Sequence, residues 1–340
     1  MNVTFLAPDI EGSDGFYDTL TDILQAAATQ LDVAVEVINC QRQRERMIEQ
    51  AVALTTRPAR PDYVLLVNYM TAAPEIMPAF DAAGIGVFFV VEGMTGAEAT
   101  PLGNPRRKHA SWLGEIVPDD VSAGYLLSQA LTDAARNKHM AGADGLIHVG
   151  VLSGEHTPAG NARFRGWLDL KGQCTDIAQD DFQYGEWRED VARRVTALML
   201  KRHPGMRVIW CANDAMALGA MAAVCEIGKT PGKDILLGGV DLGARALAGV
   251  ADGSLAVSVG GHVTDGARAL VLLYDHHATK TLPPASRRTH LVAVGADDAP
   301  GYLRFMREKA WHGVDFVRFS RARNPDADET ALSLEALVKG

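Results

Sequence analysis

Polar side chains follow an apolar run where a buried strand of this sequence is predicted to end. The run at residues 208–211 is short and apolar, and Asn213 and Asp214 come directly after it, before apolar residues recur at helical spacing to residue 224. Open parallel sheets bind ligands just outside the carboxyl ends of their strands. Asn213 and Asp214 therefore occupy a binding position, although either residue is equally well placed to cap the helix that follows.

The same position after other predicted strands carries side chains of similar chemistry. Amides, carboxylates and a guanidinium form paired hydrogen bonds with hydroxyl groups, and aromatic rings pack against the C–H face of a sugar. The set indicates a neutral, polyhydroxylated ligand. Its members are Asp9, Phe16, Tyr17, Asn68, Glu92, Arg163, Trp187, Asn213, Asp241 and His262.

Plain structural roles fit several of these residues as well. Phe16 and Tyr17 could belong to the core of the first helix, although adjacent helical residues cannot share one face. Arg163 and Arg165 lie two residues apart on a helix, so we expect one of them to form a surface ion pair instead. In the same way, Asp241 could cap a helix, Asp9 and Glu92 could be solvated, and His262 could be a hinge residue.

No pattern for a catalytic, cofactor or metal site is found. The sequence lacks a GxSxG, HExxH, Walker-type or GxGxxG motif at a strand-to-helix turn. The adjacent pairs Asp119-Asp120 and Asp180-Asp181 are interpreted as cap and loop residues. The basic cluster at residues 106–109 is interpreted as a solvated loop. We therefore predict no catalytic residue, no cofactor and no metal ligand.

The composition is that of a globular protein with an acidic surface. The net charge of -9 argues against nucleic acid as a partner, and no apolar run is long enough for insertion into a membrane. The sequence begins with a strand pattern and shows no signal peptide. We expect either a cytoplasmic protein or a mature exported protein whose leader is absent from this sequence.

Strands and helices alternate in two series, which predicts an α/β fold. Strands are predicted at residues 3–7, 33–38, 62–67 and 86–91, then at 146–152, 208–211, 235–240, 255–259 and 291–294, with a short extended piece at 182–187. An irregular stretch at residues 94–115 separates the two series. Because the strands are apolar almost throughout, both faces of each sheet should be covered. We predict two similar lobes, each a doubly wound parallel sheet.

The chain resembles the type I periplasmic sugar-binding proteins of ABC transporters, which share their fold with ribose-binding proteins and the cores of LacI-type repressors. The most specific marker is the run Ala-Asn-Asp-Ala-Met-Ala-Leu-Gly-Ala at residues 212–220. Supporting markers are Gly-Val-Asp at 239–241, Asp-Asp with Ser-Ala-Gly at 119–124, and Asn-Ala-Arg-Phe-Arg-Gly at 161–166. The sequence departs from the pattern at Glu92-Gly93, where many members carry Asp-Arg, and at Gly260-Gly261-His262, where a Gln is common.

The resemblance implies two lobes joined by a three-segment hinge, with the ligand bound in the cleft between them. The expected N-terminal lobe is residues 1–117 plus 262–289, and the expected C-terminal lobe is 118–261 plus 290–340. Hinge closure would trap the ligand. The resemblance adds Asp120 to the ligand residues already named and assigns stacking to Phe16 and Tyr17.

The resemblance also implies a function. We expect a monomeric, periplasmic solute-binding protein that captures a sugar or polyol and delivers it to the permease of an ABC importer. Two further functions stay open: a periplasmic sensor that presents its ligand to a receptor or sensor kinase, and an enzyme on a doubly wound α/β fold. A repressor would need a DNA-binding headpiece before the first strand, where we expect none.

Overall fold

The computed structural model describes residues 1–9, 15–94 and 103–340, and these form two compact units. Unit 1 comprises Met1–Pro118, His262–His290 and Ala310–Gly340, and unit 2 comprises Asp119–Gly261 and Leu291–Lys309. The chain therefore passes between the units after residues 118, 261, 290 and 309. The first three of these positions lie within one residue of the boundaries expected from the family resemblance, and the fourth was not expected.

Unit 1 is built on a parallel sheet with the strand order β11-β5-β4-β3-β1-β2 in the described part of the chain. Its strands are β1 (Asn2–Ala7), β2 (Ala34–Asn39), β3 (Tyr63–Leu66), β4 (Gly86–Val90), β5 (Trp112–Pro118) and β11 (Ser286–Thr289). Its helices are α1 (Phe16–Leu31), α2 (Arg44–Thr56), α3 (Ala73–Ala83), α9 (Asp265–Thr279) and α11 (Leu334–Lys339).

Alternate residues of the central strands form the core of unit 1. Leu6, Leu66 and Phe89 lie in one buried cluster with apolar residues of α2 and α3, such as Met47 and Phe80. Helices α1 and α9 pack against each other, and α9 also packs against β3, β4 and β5. The buried side chains of the sheet therefore pack against two groups of helices, α2 with α3 and α1 with α9, as the continuous apolar strands predict.

Unit 2 contains a second sheet, with the strand order β12-β10-β9-β8-β6-β7 among the described residues. Its strands are β6 (Ile147–Ser153), β7 (Ile177–Tyr184), β8 (Val208–Cys211), β9 (Leu236–Val240), β10 (Val257–Gly260) and β12 (Val292–Val294). Its helices are α4 (Asp120–Asn137), α5 (Pro158–Lys171), α6 (Glu189–Arg202), α7 (Asp214–Glu226), α8 (Ala244–Asp252) and α10 (Ala299–Arg307). The α/β class with two parallel-sheet lobes is confirmed, except that β12 runs antiparallel to β10 at the edge.

Glycines allow two pairs of helices in unit 2 to approach very closely. A Cβ atom on Gly124 of α4 would lie 1.9 Å from the Arg163 carbonyl oxygen of α5, and one on Gly166 would lie 2.1 Å from the Val121 oxygen. Gly219 of α7 faces the Glu189 carbonyl oxygen of α6 in the same way, at 2.1 Å. Because the obstructing atoms belong to the backbone, no side-chain rotation could relieve these contacts.

Three parts of the fold differ from the sequence prediction. The stretch expected to be irregular contains β5, which begins at Trp112 rather than after residue 115. Strand β11 was not predicted, because its sequence Ser-Arg-Arg-Thr has no apolar pattern. Strand β7 begins at Ile177, five residues before the predicted extended piece, because polar residues occupy most of this edge strand.

The assignment of residues 310–340 to the second lobe is wrong. These residues belong to unit 1, where Trp311, Phe316 and Phe319 are buried. Short 3-10 turns at Ala310–Gly313 and Val317–Phe319 pack against α1, and another at Glu329–Ala331 packs against α9. The aromatic residues decide the placement, since burying them against these helices removes large apolar surfaces from water.

The glycine contact between α4 and α5 gives a test of the packing. Gly124→Ala should lower the free energy of unfolding by about 1–3 kcal/mol, although alanine normally stabilises a helix interior relative to glycine. Urea unfolding would measure the change. Gly205→Ala is the matched control, because a Cβ atom there has nothing within 4 Å. Equal stability of the two variants would contradict the close approach.

Candidate functional site

The guanidinium of Arg163 is the centre of the candidate site in unit 2. Arg163 is only 4% exposed. Its Nε donates to Asp120 Oδ1 at 2.8 Å, and its Nη1 donates to the Ala212 carbonyl oxygen at 2.7 Å. Asp241 Oδ1 lies 3.7 Å from the same Nη1. The guanidinium thus links the first turn of α4 with the segments that follow β8 and β9.

The two neighbouring arginines of α5 have different environments, as the sequence predicts. Arg165 is exposed and pairs with Asp169 of its own helix, with Nε 2.9 Å from Oδ1. Arg163 points into the unit and is buried among polar partners. Asp119 accepts a hydrogen bond from the Ser122 amide, which confirms its capping role and leaves Asp120 as the carboxylate that contacts Arg163.

Asp214 and Ser258 hold the turn that carries Asp241. The Ser258 hydroxyl lies 2.8 Å from both carboxylate oxygens of Asp214 and accepts a hydrogen bond from the Leu242 amide at 3.1 Å. The Gly243 amide donates to Asp214 Oδ2 at 2.9 Å. Asp241 itself has φ of 136°, a conformation that is strained for a residue with a Cβ and needs such support. Asp241 does not cap α8, whose N-cap is Gly243.

Burial changes the acid–base behaviour of this cluster. Burial raises the pKa of the Asp214 carboxyl to about 6, while hydrogen bonds from the Gly243 amide and the Ser258 hydroxyl act to lower that pKa. Burial also raises the pKa of Asp241 well above its ordinary value; Arg163 opposes that rise, and the charges of Asp214 and Asp120 add to it. One guanidinium therefore serves several carboxylates that compete for it.

Trp187 lies beside this cluster in an unusual backbone conformation. Its φ is 58°, the residue before it also has a positive φ, and the side chain is half-buried. A Cβ atom on Gly154 would lie 2.1–2.4 Å from three ring atoms, so the indole rests against the Gly154 backbone. The Arg163 Cζ atom lies 5.5 Å from the centre of the ring. These contacts fix the orientation of an aromatic surface beside the Arg163 guanidinium.

Asn213 has the capping role that the sequence left open. Its Oδ1 accepts a hydrogen bond from the Met216 amide at 3.0 Å, which caps α7. Its Nδ2 approaches the Trp187 carbonyl oxygen at 3.4 Å. The amide group therefore joins the end of β8 to the Trp187 loop, and any contact with a ligand would be additional to the cap.

In unit 1, the aromatic candidates form a stack with His262. The Phe16 and His262 rings are 4.5 Å apart at 29°, and Tyr17 meets Phe16 edge-on at 5.2 Å. Both aromatic residues are half-buried in the first turn of α1, so they are not fully enclosed in the core, whereas His262 is buried. Asp9, two residues after β1, is half-buried as well.

Asn68 and the segment after β4 are held by internal hydrogen bonds. Asn68 is buried, with Nδ2 donating to the Gly93 carbonyl oxygen at 3.1 Å and Oδ1 accepting from the Ala73 amide at 3.0 Å. Buried Glu115 accepts from the Met94 amide at 2.9 Å. A Cβ atom on Gly93 would lie 2.5 Å from the Glu115 carboxylate. A larger residue at position 93 would therefore require the Glu115 side chain to move. Glu92 is half-buried at the same end of the sheet.

Two residues of the basic cluster at 106–109 make contacts within the protein, so the cluster is not simply a solvated loop. Arg106 donates to the carbonyl oxygens of Leu113 and Pro283, and His109 Nδ1 lies 2.5 Å from Asp81 Oδ2.

Within residues 1–9, 15–94 and 103–340, no group of His, Cys, Asp or Glu side chains is arranged to hold a metal ion. Over the same ranges, no helix is long and apolar enough to cross a membrane.

A family model described as periplasmic binding protein domain matches residues 5–281. The chain belongs to this family. The resemblance drawn from the sequence is therefore confirmed over most of the chain, and the fold predicted for both sheets agrees with it. The match ends within the segment between α9 and β11, before the C-terminal residues.

A solved periplasmic sugar-binding protein from Pseudomonas fluorescens is similar over nearly its whole length. It is 31% identical, with a TM-score of 0.84, over 96% of this chain and 95% of that one. An ABC transporter solute-binding protein from Actinobacillus succinogenes with bound D-allose has a TM-score of 0.76 over 88% of this chain and 99% of that one. At 20% identity, this second likeness shows the fold alone.

Two curated relatives match over shorter segments. The D-allose-binding periplasmic protein of Escherichia coli K12 is 32% identical over 51% of this chain and 53% of its own length. The ribose import binding protein of Bacillus subtilis 168 is 29% identical over 42% of this chain and 43% of its own length. The chain thus matches about half the length of these relatives.

Substitutions at Asn213 distinguish its capping of α7 from any contact with a ligand. Asn213→Ala should lower the free energy of unfolding of the unliganded protein by about 1 kcal/mol, because the first turn of α7 loses its side-chain acceptor. Asn213→Ser keeps a capping oxygen and should retain most of that stability. Thermal unfolding of the three proteins would measure the difference. A serine variant as unstable as the alanine variant would argue against capping as the cause.

The raised pKa of Asp214 predicts a pH-dependent stability. Between its ordinary value of 3.8 and about 6, the folded protein binds more protons at this site than the unfolded chain. The free energy of unfolding should therefore fall as the pH rises through this window, by up to about 3 kcal/mol. Urea unfolding of the wild type and of Asp214→Asn from about pH 3.5 to 7.5 would measure it. We expect the difference between the two proteins to change with pH, and parallel curves would contradict the assignment.

Proposed function

We propose that this protein is a non-enzymatic, periplasmic solute-binding protein that captures a sugar or polyol and delivers it to an ABC importer. The observation that carries the proposal is the buried guanidinium of Arg163, held between Asp120 and Asp241 beside the Trp187 ring. Carboxylate oxygens accept hydrogen bonds from hydroxyl groups, and the indole offers a surface for the C–H face of a sugar ring.

The charges at this cluster favour an uncharged ligand. Arg163 already pairs with Asp120 at 2.8 Å and lies near Asp241, so its positive charge is largely compensated within the protein. An anionic ligand, such as a sugar phosphate or sugar acid, would compete with the Asp120 carboxylate that already pairs with this guanidinium. A neutral polyol can donate its hydroxyl protons to the same carboxylates.

The names of the relatives support the same ligand class. The Pseudomonas fluorescens structure is called a periplasmic sugar-binding protein, and the two curated relatives are called D-allose-binding and ribose import binding. The proposal that this chain binds an aldose or a related polyol rests on these names together with the residues of unit 2. Delivery to an importer and a periplasmic location rest on the family.

The residues of unit 1 complete the proposed ligand set. Phe16 and Tyr17 present half-buried aromatic rings, with Phe16 stacked on the buried ring of His262, and Asp9 and Glu92 present carboxylates near the ends of β1 and β4. We propose that these unit 1 residues are ligand contacts as well. Asn68 is proposed to act indirectly, because its amide is occupied by internal hydrogen bonds.

A thermal-shift screen of the purified protein tests the proposal. Pentoses, hexoses, polyols, sugar acids and sugar phosphates would be compared, with nucleotides and metal ions as controls. A ligand at a hundredfold excess over its dissociation constant should add about 2.7 kcal/mol to the free energy of unfolding. Stabilisation by a neutral sugar or polyol is the expected result. Stabilisation only by nucleotides or metal ions would replace the proposal with an enzyme on this fold.

A variant of Trp187 and a matched control test the role of this ring in binding the most strongly stabilising ligand of that screen. Trp187→Ala should weaken binding by about 10- to 100-fold, since a stacked aromatic surface contributes roughly 1–3 kcal/mol. Arg165→Ala is the control, because this exposed arginine lies on the same helix as Arg163 and contacts only Asp169 among the described ion pairs. Isothermal titration calorimetry would measure both dissociation constants. Equal affinities of the two variants would remove Trp187 from the site.

A further inference from the structure

The last residues of the chain, well beyond the end of the family match, form a segment on unit 1. The family match ends at residue 281, and Ala310–Gly340 return to unit 1 after α10. We call residues 310–340 the C-terminal segment. Hydrogen bonds, ion pairs and apolar contacts attach this segment to other elements of unit 1 at successive points.

The first attachment is to α1. Gln30 Nε2 donates to the Val314 carbonyl oxygen at 2.6 Å, and Gln30 Oε1 accepts from the Phe316 amide at 2.8 Å. Trp311 and Phe316 are both buried in this part of the segment. A single glutamine side chain therefore binds the backbone of the C-terminal segment through both of its polar atoms.

The second and third attachments are to α9 and β11. Asp275 accepts hydrogen bonds from the Ser320 hydroxyl and, at 2.9 Å, from the Arg321 amide. Arg287 Nε donates to Glu329 Oε1 at 3.2 Å, and Glu329 is buried. Because these bonds involve charged groups, they fix the direction of the segment as well as adding stability.

The segment ends on the turn that carries His262. Helix α11 packs against the 3-10 turn His262–Thr264. Leu332 and Leu334 are both fully buried, and the Ser333 hydroxyl accepts from the Ala336 amide at 3.2 Å to cap α11. The three residues of the turn are buried as well. A 3-10 turn of this length has little stability of its own and depends on what packs against it.

We propose that the C-terminal segment positions the Phe16–His262 stack, with Leu334 as the positioning residue. The stack, with ring centres 4.5 Å apart, depends on the position of a three-residue turn that packs against both α1 and α11. The role of the stack in ligand binding rests on the proposed function. The positioning itself is a property of unit 1 and can be measured without a ligand.

The test uses the full-length protein with single substitutions. Leu334→Ala removes the buried side chain, Leu334→Met should restore the packing, and Leu282→Ala is the control because Leu282 is 53% exposed. Ser333→Ala is a milder variant that removes only the cap of α11, and it carries the test if Leu334→Ala does not fold. NMR of the histidine rings would report the stack, because the Phe16 ring shifts the proton resonances of His262.

We expect Leu334→Ala and Ser333→Ala to move the His262 resonances and to leave those of His148, in unit 2, unchanged. The affinity for the best sugar should fall at least about fivefold in the same variants and recover in Leu334→Met. A lower melting temperature with unchanged His262 resonances and unchanged affinity would overturn the proposal. If the wild type binds no sugar, the proposed function fails, and the resonances alone still decide whether the segment positions His262.

Discussion

The buried guanidinium of Arg163 is the interaction on which the candidate site of unit 2 depends. A buried charge is costly unless it is paired and hydrogen-bonded, and Arg163 meets that condition through Asp120 and the Ala212 carbonyl oxygen. Its place depends in turn on the close approach of α4 and α5, because Gly124 lies directly against the Arg163 backbone. Packing of the helices and chemistry of the site are therefore set by the same few residues.

Several candidate side chains have a structural role, either alone or in addition to the proposed contact with a ligand. Asn213 and Asn68 do follow the ends of strands, yet both amides are used within the protein, as a helix cap and as a link between loops. The sequence could not separate these roles, because an amide next to a helix start satisfies both patterns equally well. The supporting role of Ser258 was not predicted at all, since nothing in its local sequence relates it to Asp214, which is 44 residues away.

The alternation of apolar strands and helices was enough to predict both sheets and most of their elements. Strand β11 and the first half of β7 were missed because polar edge strands lack the apolar pattern on which the prediction rests. The C-terminal residues were assigned to the wrong lobe because order along the chain does not show which surface a segment packs against. Trp311 and Phe316 are large apolar residues that favour burial of residues 310–340. Only the structure shows that this segment packs against α1.

The two units carry their candidate residues in different ways. In unit 2, charged groups hold one another in place, and the segment after each of β8 and β9 is fixed by hydrogen bonds to a carboxylate or guanidinium. In unit 1, the Glu115 carboxylate lies close to Gly93 and accepts a hydrogen bond from the Met94 amide, and the segment after β4 carries the Glu92 carboxylate without an arginine beside it in the chain. The Phe16 ring is held there by stacking on the buried His262 ring. A stack is fixed by packing rather than by ion pairs, and that makes its geometry sensitive to the elements that support the turn, α1 and α11.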